Sequence, residues 1–268
     1  MTFHERKGMW ANGAAYEYYV GRWSRLVALQ FLKSLEIPSD SKWLDVGCGT
    51  GILSQTILDI ASPYSVVGVD TSEGYIQFAC EQIHDQRIAF HLGDAQSLPV
   101  EPAAYDTVVS GLVLNFVPQP SLALSAMIRA VRLGGTVAAY VWDYAGHMQL
   151  IRYFWDAAVA LDRTITVLDE GRRFPLCHQE PLSQMFRNAQ LEKVKVWPID
   201  VDTIFSNFDD YWCPFLGGQG PAPAYTMSLS EEKRVALREY VRKKLPIAPD
   251  GSIHLIARAW AVLGARKK

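Results

Sequence analysis

The chain has 268 residues, 49% of them hydrophobic and 20% charged, with 26 basic against 28 acidic side chains and a formal net charge of −2. That balance excludes a disordered or fibrous chain and suits one large globular domain, or one domain with a cap. No long run of like charge marks a nucleic-acid face, and the short basic cluster at 242–244 reads as the solvated end of a helix. Four scattered cysteines without a Cys-x-x-Cys pair suggest neither a zinc site nor a disulfide framework. The first 20 residues lack the apolar core of a secretory signal, and no run approaches the roughly 18 apolar residues of a membrane span, so a cytoplasmic protein without a membrane span is expected.

Strand-like and helix-period segments alternate along the chain, the signature of a parallel sheet covered by helices on both faces. Strands are predicted near 42–46, 65–70, 88–92, 106–110 and 136–142, with helices at about 51–60, 73–83 and 121–131. A helix at 181–188 follows, and then two strands, 193–201 and 253–263, alternate apolar with polar residues as an antiparallel edge pair does. The expected fold class is α/β, a doubly wound seven-stranded, mostly parallel sheet with an antiparallel edge hairpin. Residues 1–268 are taken as a single domain with a core at about 36–144. Segments 145–175 and 203–250 are insertions not needed to complete the sheet. Material after strand ends sits over the carboxyl edge, where ligands bind, which assigns these segments to the substrate side.

The stretch Leu44-Asp45-Val46-Gly47-Cys48-Gly49-Thr50-Gly51 carries an apolar strand straight into three alternate glycines at the start of a helical pattern. A backbone without Cβ can turn tightly there and lay bare amides against a nucleotide-like ligand. The dinucleotide fingerprint spaces its glycines as Gly-x-Gly-x-x-Gly, so the Gly47-x-Gly49-x-Gly51 spacing disfavours a nicotinamide dehydrogenase. Asp45 would repel a pyrophosphate but can serve an ammonium or a sulfonium. At these residues the chain resembles the class I S-adenosylmethionine-dependent methyltransferases with their Rossmann-like methyltransferase fold, in particular those of the ubiquinone and menaquinone biosynthesis type. The resemblance implies S-adenosylmethionine as cofactor, lined here by Asp45, Gly47, Cys48 and Gly49.

Asp70, ending the second strand about 20 residues past the glycines, is placed to accept hydrogen bonds from both ribose hydroxyls, with Thr71 beside it. Its alternative role is an N-cap for the helix that follows, which Thr71 and Ser72 could also fill. After the third strand, Gly93-Asp94-Ala95 matches the family's second acidic motif. The resemblance implies that Asp94 takes the adenine amino group and the Ala95 amide a ring nitrogen, whereas by itself Asp94 could simply close an Asx turn. Gly111 and Leu112, ending the fourth strand, would lie under the methionine portion. Asn115 stands where relatives have a histidine-containing loop, and its amide either orients a substrate oxygen or caps the turn before Pro118. Arg132-Leu133-Gly134-Gly135 looks like the family's Lys-Pro-Gly-Gly turn. In the segment 16–23, aromatics and Arg commonly close over the cofactor in relatives, which assigns Tyr19 and Arg22 there, Arg22 as a planar fork for the methionine carboxylate.

Methyl transfer from a sulfonium is an in-line displacement, so the protein mainly positions the acceptor, excludes water and, for oxygen or nitrogen acceptors, removes a proton. The candidate bases are Asp143 and His147, with His178 and His254 less well placed. Of the aromatics at 142, 144, 153–155, 205, 208, 211, 212 and 215, some simply pack the cap, and the cluster suits a small apolar or aromatic acceptor. Neither the Asn/Asp-Pro-Pro-aromatic loop of base-methylating enzymes nor the acids of magnesium-dependent ones stand after the fourth strand, so neither nucleic acid nor a metal is expected. The other reading is a non-catalytic S-adenosylmethionine-binding protein. Oligomeric state is not encoded legibly.

Overall fold

A computed structural model describes residues 20–217 and 220–268. Among them a seven-stranded sheet runs in the order β3-β2-β1-β4-β5-β7-β6, with β1 Lys42–Val46, β2 Ser65–Asp70, β3 Ile88–Leu92, β4 Tyr105–Gly111, β5 Val131–Trp142, β6 Glu192–Phe205 and β7 Ile253–Ala265. The first five strands pair in parallel, with Trp43 of β1 beside Val66 of β2 on one side and Thr107 of β4 on the other. Just past the end of β7, Arg266 exchanges backbone bonds with Gly134 and Gly135 of β5 (2.8 and 2.9 Å), and within β7 the Arg258 carbonyl accepts from the Asp143 amide just past β5 at 2.9 Å, so β7 runs antiparallel to β5. Every predicted strand is present.

The helices are α1 Arg22–Leu35, α2 Ile52–Ile60, α3 Glu73–Gln82, α4 Pro120–Ala130, α5 Gln149–Leu161, α6 Glu170–Arg173, α7 Gln179–Asn188, α8 Phe208–Trp212, α9 Pro221–Ser228 and α10 Glu231–Lys244. Ser72, not Asp70, caps α3, its hydroxyl accepting from the Tyr75 amide at 3.3 Å. The basic cluster at 242–244 is the exposed last turn of α10, whose first turn carries Glu231 and Glu232, both in the sense the helix dipole favours.

The chain divides into two compact units. One comprises residues 24–141, 176–199 and 259–268 and contains β1 to β5. Its strands are near-continuous apolar runs because helices cover them: Leu44, Val46, Val108, Val137 and Ala139 are buried with Met127 of α4 and Phe186 of α7. Elsewhere in this unit α1 lays Phe31 between Tyr140 (ring centroids 4.7 Å) and Trp197 (6.5 Å, nearly parallel).

The other unit comprises residues 142–175 and 200–258 with the start of α1. As expected for some of the aromatics on the substrate side, several of them pack the interior of this unit. Phe154 stacks on Phe215 at 4.5 Å, Trp155 packs against Tyr225 at 5.7 Å, and Phe154, Trp155, Phe205, Tyr211 and Phe215 are fully buried. At about 1.5 to 3 kcal/mol for each large apolar side chain removed from water, this packing gives the unit a core of its own. Arg152 grips buried Asp169 through both oxygens (2.7 and 3.0 Å), and Asp169 caps α6 by accepting from Gly171 at 2.9 Å.

The segment 132–135 departs from expectation. It is not a turn ahead of β5 but part of β5, where the register against β4 slips between Tyr105/Val131 and Thr107/Thr136. Gly134, at φ +73°, absorbs the extra residues as a bulge.

Candidate cofactor site

The strand order reverses direction at β1 and β4, so the loops leaving their carboxyl ends diverge to opposite faces and open a crevice between them, the place where doubly wound sheets bind ligands. Ser110 fastens the two ends, its hydroxyl donating to the Val46 carbonyl at 2.8 Å. The glycine loop follows. Gly47, Gly49 and Gly51 all have positive φ (+74°, +53°, +88°), but for different local reasons. A Cβ on Gly47 would collide with the Val113 side chain of the loop after β4, and one on Gly51 would meet Ile83 Cδ1 at 2.6 Å. At Gly49 the nearest atom is Tyr75 Cδ2 at 3.9 Å, so this glycine alone keeps its space open.

Asp45 lies beneath that loop, 1% exposed, where one carboxylate oxygen accepts from Ser54 Oγ at 2.7 Å and the other, Oδ1, has no hydrogen-bond partner. Burial and then the nearby Asp70 charge push its carboxyl up to about 7, against the Ser54 hydroxyl that lowers it. A buried, half-satisfied carboxylate is stabilised by a cation, which matches an ammonium- or sulfonium-bearing ligand. Cys48 is buried in the same loop, its thiol pushed well up, first by burial and then by the Asp45 charge.

Asp70 is half-buried and reaches back to the glycine loop. Oδ2 accepts from the Gly49 amide at 3.0 Å and Oδ1 from the Ser72 amide at 2.8 Å. Burial raises its pKa, and the amides of Ser72, Gly49 and Thr71 oppose that rise. Asp94 closes its own turn, accepting from the Gln96 amide at 2.8 Å and from the Gln96 side chain, with Ala95 buried beside it. Asp94 thus forms the Asx turn that its position allows.

Leu112 adopts φ +63°, a left-handed conformation that a branched apolar residue takes at a cost, and its amide donates to the Tyr140 carbonyl at 2.8 Å. Gly111 precedes it because a Cβ there would meet Tyr140 Oη at 2.5 Å. Three residues on, Asn115 Oδ1 is buried without a hydrogen-bond partner. Asp45, Gly47, Cys48, Gly49, Asp70, Thr71, Asp94, Ala95, Gly111, Leu112 and Asn115 all belong to the unit with β1 to β5.

Arg22, Asp143 and His147 belong to the other unit. Asp143 is spent on its own turn, accepting from the amides of Gly146 (2.9 Å) and His147 (3.0 Å). The exposed His147 ring stands 3.4 Å from Asp143 through Nδ1 and 3.4 Å from Arg258, itself held bidentately by Asp200 at 2.7 Å. Tyr19 lies outside the described residues. Sequence reasoning missed Ser54, Ser110 and Val113. A serine inside the apolar run of β4 is a legible signal for Ser110, whereas the contacts of Ser54 and Val113 exist only in three dimensions.

Comparison with known proteins agrees with this geometry. A family model described as a methyltransferase domain matches residues 44–139. A demethylmenaquinone methyltransferase of Roseiflexus castenholzii is 34% identical over 101 residues, a stretch covering 38% of this chain and 42% of that protein. The one from Staphylococcus aureus strain JH9 is 32% identical over 177 residues, 62% of this chain and 73% of the relative. Among solved structures, a putative methyltransferase from Bacillus halodurans superposes with TM-score 0.61 at 15% identity, covering 90% of this chain and 99% of the other. Phosphoethanolamine N-methyltransferase 2 of Haemonchus contortus, solved with S-adenosyl-L-methionine, gives 0.60 at 18% identity over 96% of this chain and 57% of its own. The glycine loop, the acids closing β1 and β2, and these likenesses together place the chain in the class I S-adenosylmethionine-dependent methyltransferase family.

Proposed function

We propose that the protein transfers a methyl group from S-adenosylmethionine to a small apolar or aromatic acceptor by in-line displacement. The observation that carries this reading is the pair of buried, unpartnered oxygens, Asp45 Oδ1 near the carboxyl end of β1 and Asn115 Oδ1 in the loop after β4, the two strands between which the crevice opens. When bound, S-adenosylmethionine supplies a methyl group already activated by the sulfonium. The protein's own tasks are then binding, orientation and exclusion of water.

In this reading Gly49 leaves room for the cofactor to lie against the loop backbone, and Asp70, with Thr71 beside it, takes the ribose hydroxyls while keeping its bond to the Gly49 amide. Asp94 and Ala95 meet the adenine edge, and Gly111 and Leu112 support the methionine end. Asp45 compensates the positive charge of the ligand from below the loop. Asn115, with an unused acceptor oxygen, orients a donor group of the incoming acceptor. The demethylmenaquinone methyltransferases similar to this chain act, by their names, on a quinone-type molecule, which supports an acceptor of apolar, ring-bearing character.

The test is calorimetric titration with S-adenosylmethionine, S-adenosylhomocysteine and NADH in parallel, followed by a screen of ring-bearing acceptors. Micromolar binding of the two adenosyl ligands with turnover in the screen is the expected result. Binding of NADH alone would overturn the reading, and tight adenosyl binding with no turnover on any acceptor would leave a non-catalytic binder.

A further inference from the structure

Among the described residues of the unit containing α8 to α10, four buried polar atoms lack hydrogen-bond partners: Arg22 Nε, Arg22 Nη2, Trp23 Nε1 and Thr203 Oγ1. Buried donors are nearly always satisfied in folded proteins, because losing water without a replacement bond costs free energy. These four share one neighbourhood. The Arg22 guanidinium lies over the Trp23 ring at 4.4 Å and over the Phe205 ring at 5.0 Å, and the two rings meet edge to face at 5.5 Å. Thr203 is fully buried two residues before Phe205 on β6, hence on the same face of that strand.

The arrangement within Arg22 defines the missing group. Nη1 donates to Asp210 Oδ1 at 3.1 Å, and Asp210 is anchored in turn by the Ser206 amide at 2.9 Å. The opposite edge, Nε with Nη2, then presents two parallel donors, a fork that fits the two oxygens of a planar carboxylate. The Trp23 indole N–H and the Thr203 hydroxyl are two further buried polar groups of this unit without partners, while Asp210 is already paired with the guanidinium through Nη1. Such a site suits an acid whose remainder is apolar.

We propose that Arg22, Trp23 and Thr203 form a binding site for the carboxylate of an aromatic or apolar acid. The carboxylate docks on the guanidinium fork, and the ring or chain behind it packs against the aromatic faces.

The test needs no knowledge of the natural acid. Benzoate and its neutral counterpart benzamide are titrated into the full chain, with and without saturating S-adenosylhomocysteine, and followed by tryptophan fluorescence and calorimetry. Benzoate is expected to bind at least tenfold more tightly than benzamide. Arg22→Gln should erase that preference, Arg22→Lys, which keeps the charge but not the fork, should restore only part of it, and S-adenosylhomocysteine affinity should stay within twofold. Equal binding of benzoate and benzamide to the unaltered protein overturns the site without reference to any variant that fails to fold. Loss of S-adenosylhomocysteine affinity in Arg22→Gln with benzoate binding retained would hand the fork to the cofactor carboxylate and overturn the proposal. Discrimination of benzoate in a protein that binds neither adenosyl ligand would support the acid site and sink the methyltransferase reading instead.

Discussion

Asp70 Oδ2 accepts a hydrogen bond from the Gly49 amide at 3.0 Å, so the acid that ends β2 holds the turn that ends β1. In the proposed complex one carboxylate therefore fixes the loop and meets the ribose. Asp70→Ala is expected to weaken S-adenosylhomocysteine binding by about 1.5 to 3 kcal/mol, the range for hydrogen bonds to a charged group. Calorimetry on a variant whose melting curve remains cooperative checks this, and an unchanged affinity would remove the ribose role.

The three loop glycines should respond differently to alanine. Gly47→Ala forces a Cβ into Val113 on top of a left-handed backbone, so it should lower thermal stability by several degrees, corresponding to about 1 to 3 kcal/mol. Gly49→Ala meets nothing closer than Tyr75 Cδ2 at 3.9 Å and carries the backbone cost alone, so it should melt closer to the unaltered protein yet lose cofactor affinity. Melting and binding measured on both variants decide the matter, and a Gly49→Ala protein that binds normally would count against the close approach proposed there.

Asp45 ties binding to pH. Its carboxyl is raised to about 7, chiefly by burial, and a cationic ligand binds best to the ionised form. Below pH 7 binding must first expel the proton, so S-adenosylmethionine affinity should fall by up to about tenfold per pH unit as the medium is acidified. Asp45→Asn should flatten that dependence. A flat profile in the unaltered protein would separate Asp45 from the cationic end of the ligand.

Glu170 is a second buried carboxyl, 1% exposed and bonded by the Trp155 indole N–H. Burial pushes it from 4.5 to about 7, against the lowering effect of the Trp155 bond. An acid whose folded pKa lies above its unfolded value binds more protons when folded, so its contribution is fully present below pH 4.5 and is lost as pH rises towards and beyond 7. Denaturant titrations across that window should show stability declining, with Glu170→Gln removing a component of at most about 3 kcal/mol. Asp45 and Asp70, whose carboxyls burial also raises, contribute with the same sign, so the slope should shrink further, without vanishing, when Asp45→Asn is added.

Much of this was readable from the sequence because the signals were local. The apolar run 42–46, the glycine spacing and the acid after 65–69 each act within a few residues, and the strands they announced lie where expected. What stayed hidden depends on distant partners. Nothing near Phe154 distinguishes a ring that greets a ligand from one that stacks on Phe215, 61 positions later. The alternation in 132–135 reads as a turn because its glycines are turn-formers, and only the pairing with Arg266 draws it into a strand. The fate of Arg22 was equally unreadable, since Asp210 lies 188 residues away.

The burial of Cys48 has a practical consequence. Its thiol is desolvated and held in its protonated, unreactive form within the glycine loop, whereas Cys80 and Cys213 are exposed. Cys80 lies in the unit that carries the loop and Cys213 in the other. A thiol-reactive dye pair would thus mark the two compact units with one label each while sparing the loop, and energy transfer between them would report whether ligand binding changes the distance separating the units, with no engineered cysteine required.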